Sequence, residues 1–126
     1  MLFEPAMVAE LESISGLSKK VYPLKADDGA KVPYVTYESS EGLPTKTTDG
    51  YQSGKSVEVE LNVVAGSYSS LKSVTAAVIA KLISFEGRVI GNGGPFIQEI
   101  TIRASHEFYD EKTKLRKSAL SLEVYY

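Results

Sequence analysis

The 126-residue chain has the length of one domain, and its hydrophobic (43%) and charged (24%) fractions are those of a soluble globular protein. It contains no cysteine, which excludes disulfides, thiolate catalysis and cysteine-ligated zinc. The formal net charge is −2 and no long basic run occurs, so the composition gives little support to a nucleic-acid-binding function.

The N-terminal third of the chain predicts one helix and two strands. Residues 3–14 carry apolar side chains at helical spacing, and a glycine that can end a helix follows. Residues 21–24 predict a short edge strand, and residues 32–38, rich in β-branched and aromatic side chains, predict a longer one. Between them, Asp27 and Asp28 lack further acidic ligands at calcium-loop spacing, which favours a solvated turn over a metal site.

A long stretch punctuated by glycine and proline covers residues 39–55. Connections of this length in compact domains tend to be functional or disordered. We expect either an ordinary surface loop or a β-hairpin arm that becomes ordered on contact with a neighbour.

A strand followed by a helix forms the centre of the predicted fold. Residues 57–63 alternate strictly, with apolar side chains at the odd positions and Glu58, Glu60 and Asn62 at the even ones. Because successive strand side chains point to opposite faces, this strand has one buried and one solvated face. Apolar residues then recur at helical spacing from Leu71 to Leu82, so a helix is expected to cover the buried face.

The C-terminal part predicts a hairpin of two long strands, at residues 96–109 and 115–126, joined by a polar turn. The glycine-rich segment at 91–95 before it matches neither the phosphate-loop pattern nor the dinucleotide fingerprint, so we interpret it as a flexible connector. In the first strand, alternation places one set of side chains on one face and a second set on the other: Ile97, Glu99, Thr101 and Arg103 against Gln98, Ile100, Ile102 and Ala104.

These elements predict an α+β fold for a single domain at residues 1–126. The expected architecture is an antiparallel or mixed sheet of about four strands. Two helices pack on one of its faces, and a long loop or hairpin arm is attached to it.

Few residues are candidates for catalysis. His106 is the only histidine, and no sequence rule pairs it with a particular serine and acid. Glu58 and Glu60 share a strand face at a spacing of about 7 Å, which suits a glycosidase-like or magnesium-binding pair. The alternative is the solvated face of an antiparallel sheet, and the sequence favours it. We therefore expect no catalytic residues, no metal and no cofactor.

Eight tyrosines and an uneven charge distribution are features that occur at assembly surfaces. Residues 1–66 carry six Lys/Arg and ten Asp/Glu, whereas residues 67–126 carry eight and six. This imbalance is either chance scatter over solvated faces or an acidic and a basic surface that meet between copies. Tyrosine suits surfaces that become buried on assembly, because its ring is apolar and its tip is polar.

The order of several short segments resembles one protein family. After an N-terminal helix, these segments are Val21–Pro23, the proline-tyrosine strand Val32–Tyr37, a glycine-bearing loop, Val57–Ala65, Ser67-Tyr68 opening a helix, and a final hairpin at Phe108–Leu115 and Leu120–Val124. In this order they resemble the small tail completion proteins of long-tailed bacteriophages, also called tail terminator or tail-to-head joining proteins.

The resemblance implies a structural virion protein that forms a ring, usually of six copies, at the head-proximal end of the tail. Such a ring ends tail-tube polymerisation and joins tail to head. It leaves a channel through which DNA passes without sequence-specific binding. The implied partners are further copies of the chain, the tail tube protein and a head-tail connector protein, with synthesis in the bacterial host cytoplasm. Neither catalysis nor membrane association is implied.

For contacts in such a ring we expect the 39–55 stretch and the terminal hairpin, with candidate subunit-interface residues Lys46, Asp49, Tyr51, Lys55, Tyr109, Lys112 and Lys114. The polar strand face formed by Glu58, Glu60 and Asn62 is the candidate for a channel or subunit seam. One alternative is a small cytoplasmic α+β ligand-binding or regulatory module, whose pocket between helices and sheet is lined by Tyr22, Tyr34 or Tyr68. Another is an enzyme that uses His106.

Overall fold

The computed structural model describes residues 2–40 and 42–126; the side chains at 43, 45–47 and 51–53 are outside that description. The elements follow one another along the chain as α1 (Phe3–Glu12), β1 (Val21–Pro23), β2 (Tyr34–Ser39), β3 (Leu43–Thr47), β4 (Gly50–Ala65), α2 (Tyr68–Ile83), β5 (Glu99–Asp110) and β6 (Leu115–Tyr125). This content confirms the predicted α+β class.

The strands form one open, mixed sheet in the order β1-β2-β4-β6-β5. Among the described strands, β1 and β2 run parallel and the other pairs are antiparallel. β3 lies outside this path and pairs with the first part of β4, so residues 43–56 form a hairpin. The sheet therefore has more strands than the expected four, because the short edge strand and the arm both pair with it.

β4 is the longest strand and lies in the middle of the sheet. The alternation at 57–63 is confirmed, since the odd-numbered apolar side chains are at most 2% exposed and Glu58 and Glu60 are solvent-exposed. The strand begins at Gly50, earlier than the sequence pattern indicates. The extra residues belong to the hairpin with β3, where the alternation of apolar side chains is absent.

Both helices cover the same face of the sheet. Ser67 caps α2, because its hydroxyl accepts a hydrogen bond from the backbone N–H of Ser70 at 3.1 Å. The helix then buries Leu71, Val78 and Leu82. One continuous core joins residues of both helices to the sheet; it includes Phe3, Met7, Leu11, Val35, Val59, Leu61, Leu71, Leu82, Leu120 and Leu122. The expected packing of α2 on the odd-numbered face of β4 is confirmed.

The glycine-rich segment after α2 is a turn closed by backbone hydrogen bonds. The backbone N–H of Gly94 donates to the carbonyl of Ile90 at 3.1 Å, and that of Ile90 donates to the carbonyl of Pro95 at 3.1 Å. A β-carbon at Gly94 would lie 2.2 Å from the Ile90 carbonyl oxygen and 2.7 Å from the β-carbon of Ala6. The close approach of this turn to α1 therefore requires glycine at position 94.

The terminal hairpin of β5 and β6 forms as predicted, but its side-chain alternation differs from the expectation. Ile97 is completely buried, so it does not share a face with the exposed Glu99 and Thr101. A break in register between Ile102 and Ala104 then inserts one residue into β5. Because a β-bulge reverses the faces that follow it, Ala104 lies on the same face as Thr101 and not with Ile102.

Candidate assembly surfaces

The face of the sheet opposite the helices carries an acidic patch. Glu38 of β2 lies directly opposite Glu60 of β4, and Glu58 of β4 lies directly opposite Glu123 of β6. Residues that face one another in an antiparallel pair point to the same side, so these four carboxylates form one contiguous group. We call Glu38, Glu58, Glu60 and Glu123 the acidic patch. Asn62 lies two residues from Glu60 on the same face, as predicted.

The acidic patch contains more negative charge than its own surroundings neutralise. Arg103 forms an ion pair with Glu123. Within the part of the chain that the structure describes, no cation lies within ion-pair distance of the other three carboxylates. Like charges directly opposite one another on a sheet are destabilising. A shallow groove of about 290 Å³ lies along this patch, lined by Glu38, Ser39, Ser40, Glu58 and Glu60.

The tip of the terminal hairpin carries Tyr109, Lys112 and Lys114, and all three are exposed. The turn is ordered by Asp110, whose carboxylate accepts from the backbone N–H of Lys112 at 3.0 Å and pairs with Lys117 at 3.2 Å. The hydrogen bond from Lys117, with that from Lys112, lowers the pKa of the Asp110 carboxyl.

The sides of the hairpin carry aromatic and cationic groups close to the start of α2. The guanidinium of Arg116 lies 5.1 Å from the ring centroid of Tyr109, and the ammonium of Lys72 lies 5.3 Å from that of Tyr68. Lys72 also forms an ion pair with Glu107, which raises the pKa of the lysine. The exposed fractions of Tyr68 and Tyr109 are 61% and 50%, which is high for large aromatic residues.

The remaining candidate interface residues lie on the arm formed by β3 and the start of β4. The side chains of Lys46 and Tyr51 lie outside the described residues, although their backbones face one another in the hairpin. Asp49 is exposed at its turn. Lys55 is half-buried and exchanges backbone hydrogen bonds with Tyr126, at 2.6 and 3.0 Å.

The two sets of candidate interface residues lie at opposite ends of the sheet. Ser56, next to the arm, pairs with Tyr125, whereas Ala65 at the other end of β4 pairs with Arg116, next to the hairpin tip. At the usual rise per residue, the 16-residue β4 spans about 50 Å. The structure therefore does not bring the two sets together; within one chain they form two separate surfaces, with the acidic patch between them.

The tyrosines proposed to line a ligand pocket between helices and sheet do not meet there. Tyr22 and Tyr34 contact each other edge to face, with ring centroids 6.0 Å apart. Tyr22 pairs with Thr36 and Tyr34 pairs with Val64, and both of these partners point to the same side of the sheet as Asn62. The two tyrosines therefore lie on the face opposite the helices. Tyr68 is exposed at the start of α2. The interior between helices and sheet is filled by the apolar core.

His106 is exposed on β5, and its ring stacks on Phe108 with centroids 5.8 Å apart. Its partner on the neighbouring strand β6 is Ala119. The described residues include no group of three or more His, Cys, Asp or Glu side chains placed to hold a metal ion. Nor does any described helix have the length and apolar character needed to cross a membrane.

Comparison with known proteins gives a match over almost the whole chain. Residues 6–126 match the family model described as tail completion protein gp17. The chain belongs to this family. No curated protein sequence matches it.

A solved structure has a similar fold. One chain from the virion of a native gene transfer agent (GTA) particle superposes on this tail completion family member with a TM-score of 0.64. The alignment covers 94% of this chain and 82% of the other, at 16% sequence identity. At that identity the likeness concerns the fold alone.

Membership in the tail completion protein gp17 family identifies the chain as a structural protein of a phage tail, associated with the virion. This agrees with the resemblance found in the sequence, and it favours a non-enzymatic role. Glu38 and Glu123 were not among the sequence candidates. The alternation of each strand places its glutamates on a solvated face, but only the pairing register shows that they adjoin Glu58 and Glu60.

Proposed function

We propose that this tail completion protein forms a homo-oligomeric ring at the head-proximal end of the tail. There it ends polymerisation of the tail tube and joins the tail to the head. Its partners in this role are the tail tube protein and a head-tail connector protein. DNA passes through the central channel without sequence-specific contacts, and the ring contains six copies.

The observation that carries this proposal is the position of the two candidate contact segments. The arm and the terminal hairpin lie at opposite ends of β4, about 50 Å apart along the strand. A two-fold dimer uses one patch on both copies, whereas a ring needs two different patches that join each copy to the next. Two separate projecting hairpins on one rigid sheet suit the second arrangement.

The surface chemistry of the terminal hairpin supports the same role. Phe108 and Tyr109 are 41% and 50% exposed, and Arg116 lies over the Tyr109 ring. Aromatic residues and arginine are enriched at protein interfaces. The acidic patch also remains uncovered in the single chain, so it is available to line either the channel or the seam between subunits.

Native mass spectrometry over a concentration series tests the ring directly. We expect a discrete species of six copies, and we expect Tyr109→Ser to reduce its fraction at least tenfold. Ile83→Ser is the matched control, because Ile83 is a 59% exposed apolar residue at the last position of α2, whereas the terminal hairpin lies beside the start of that helix. A chain that remains monomeric at every concentration, both alone and with tail tube protein present, would contradict the proposal.

A second measurement tests the end of polymerisation. Tail tube protein that polymerises in the presence of this chain should give tubes with the chain bound at one end and no further growth at that end. Electron microscopy of labelled chain on tubes gives the position. Binding along the length of the tubes, or unchanged growth, would contradict the proposed role.

A further inference from the structure

The terminal hairpin extends beyond the part of the sheet that the helices cover. The side chains at 103–106 are exposed whichever face of β5 they occupy, and the exposure continues into the turn at 111–114. Besides the cross-strand partners on β6, the contacts that hold this end of the hairpin include the ion pair between Glu107 and Lys72 of α2, and a hydrogen bond of 2.9 Å from the Arg116 guanidinium to the Gly66 carbonyl. The hairpin thus presents two solvent-facing sides and a tip.

The tip presents two exposed lysines whose backbones are held by hydrogen bonds of the turn. The backbone N–H of Lys112 bonds to the Asp110 carboxylate at 3.0 Å, and that of Lys114 bonds to the Asp110 carbonyl at 2.7 Å. The side chain of Asp110 is already paired with Lys117. No carboxylate among the described residues lies within ion-pair distance of Lys112 or Lys114. The tip therefore carries two cations held on an ordered turn, with no counter-charge from the described part of the same chain.

The groove of the acidic patch has the opposite character. It is concave, it is lined by Glu38, Glu58 and Glu60, and none of these has a cationic partner in the described chain. Glu38 and Glu60 face each other directly across β2 and β4, which costs stability in an isolated subunit. A cation that entered the groove would remove this repulsion, so the gain would exceed that of an ordinary surface ion pair.

We propose that the hairpin tip of one copy docks into the acidic groove of the next copy, with Lys112 and Lys114 opposite Glu58 and Glu60. This inference rests on the proposed ring, and it names the acidic groove, rather than the arm, as the patch that receives the hairpin tip at the subunit seam. We assign the groove to a second copy because the same chain carries both the unpaired lysines of the tip and the unpaired glutamates of the groove. The tip and the groove are also two different patches. Contacts between two different patches propagate from copy to copy, as a ring requires.

A charge-swap experiment on the full chain tests the pairing. Lys112→Glu with Lys114→Glu should abolish assembly, and so should Glu58→Lys with Glu60→Lys. A chain that carries all four substitutions again has opposite charges on tip and groove, although Glu38 and Glu123 offset part of the new positive charge in the groove. It should therefore recover part of the wild-type oligomer, in contrast to the two double variants. Assembly of the wild type should also weaken when salt is raised from 50 to 500 mM, because partly exposed ion pairs are screened.

The matched control is Lys19→Glu with Lys31→Glu. It makes the same change in net charge at two exposed lysines away from the hairpin, and Lys19, like Lys114, has a positive φ. Circular dichroism and melting temperature establish that each variant is folded. In the groove variant the melting temperature of the monomer should rise, because the new cations at positions 58 and 60 then face Glu123 and Glu38; assembly is nevertheless lost.

The outcomes separate this inference from the proposed function. If the wild type oligomerises and either swap leaves the oligomer intact, the docking of tip into groove is wrong, while the ring stands. If both single swaps prevent assembly but the fourfold variant stays monomeric, the direct pairing is likewise wrong. If the wild type forms no oligomer alone or with tail tube protein, the ring itself fails and the seam with it.

Discussion

Glu10 and Arg88, which are 78 residues apart in the sequence, form a two-point ion pair between α1 and the turn that follows α2. The two terminal guanidinium nitrogens donate to the two carboxylate oxygens at 3.0 and 2.9 Å, and the backbone N–H of Gly91 donates to the same carboxylate at 2.8 Å. The hydrogen bond from Arg88 lowers the pKa of Glu10 to about 2, against the opposing effect of burial. One side chain thus fixes the glycine turn to the first helix.

Glu10→Gln should destabilise the fold in a pH-dependent manner. The carboxyl has a pKa of about 2 when folded and 4.5 as its ordinary value, so its stabilising effect is complete above pH 4.5 and disappears as the pH falls towards 2. Urea unfolding at pH 7 should show a loss on the order of 2 kcal/mol, from a charged hydrogen bond and the linked pKa shift. The difference should shrink steadily below pH 4.5, and at pH 2, where the folded carboxyl is half protonated, only a small part of it should remain.

Glu12→Gln is the control for that measurement, because Glu12 lies on the same helix and has no ion-pair partner in the described chain. It should leave the free energy of unfolding within about 0.5 kcal/mol of wild type at every pH. If the two variants behaved alike, the contact between Glu10 and Arg88 would not be a stabilising one.

Gly94→Ala should be one of the most destabilising single-methyl additions in the chain. The added carbon would lie 2.2 Å from a carbonyl oxygen and 2.7 Å from Ala6, and neither atom belongs to a flexible side chain. We expect a loss of about 3 kcal/mol, in the upper range for overpacking. Gly66→Ala is the comparison, because its nearest contact is a methyl group at 3.4 Å. Equal melting temperatures for the two variants would contradict the close packing at the turn.

Glu60→Gln should stabilise the isolated subunit. Glu60 directly faces Glu38, and removal of one charge from a like-charged cross-strand pair is worth roughly 0.2 to 1 kcal/mol. The increase in melting temperature should be larger at 20 mM than at 500 mM salt, since exposed charges are screened. A decrease at low salt would contradict the repulsion between Glu60 and Glu38.

Ser67→Ala tests the start of α2. The Ser67 hydroxyl accepts from the N–H of Ser70, and loss of such a cap costs about 1 kcal/mol. Ser69→Ala, one residue inside the helix and exposed, should be neutral or slightly stabilising because alanine is the better helix former. The difference between the two in thermal unfolding measures the cap itself.

The sequence was sufficient for the parts of the fold in which one face of an element is buried. The alternation at 57–63 and the helical spacing from Leu71 to Leu82 both predicted the observed core faces. Each of these segments contributes side chains to the single apolar core. When one face of an element is buried, its apolar residues recur at the spacing of a strand or a helix, so that spacing predicts the structure.

Other features of the structure are not predicted by any regular spacing of apolar residues. The bulge in β5 depends on pairing with β6, and the alternation expected for residues 96–104 therefore placed Ala104 on the wrong face. Ile97 precedes β5, and its backbone N–H bonds to the Arg88 carbonyl, so the strand alternation does not extend to it. The glycine turn has a composition typical of a flexible connector, but its own backbone hydrogen bonds order it and a glutamate far away in the sequence ties it to α1. The acidic patch likewise combines glutamates from three strands, whose register no local pattern determines.

The central position of β4 has a mechanical consequence. Antiparallel ladders flank this strand on both sides over residues 59–64, with β2 on one side and β6 on the other. A pull between the arm, which continues into β4, and the hairpin tip, which continues into β6, would load the β4–β6 ladder in shear, along the strands. Rows of hydrogen bonds would then share the force and rupture together, whereas peeling would break them one at a time. The sheet is thus built to carry tension between its two hairpins without opening.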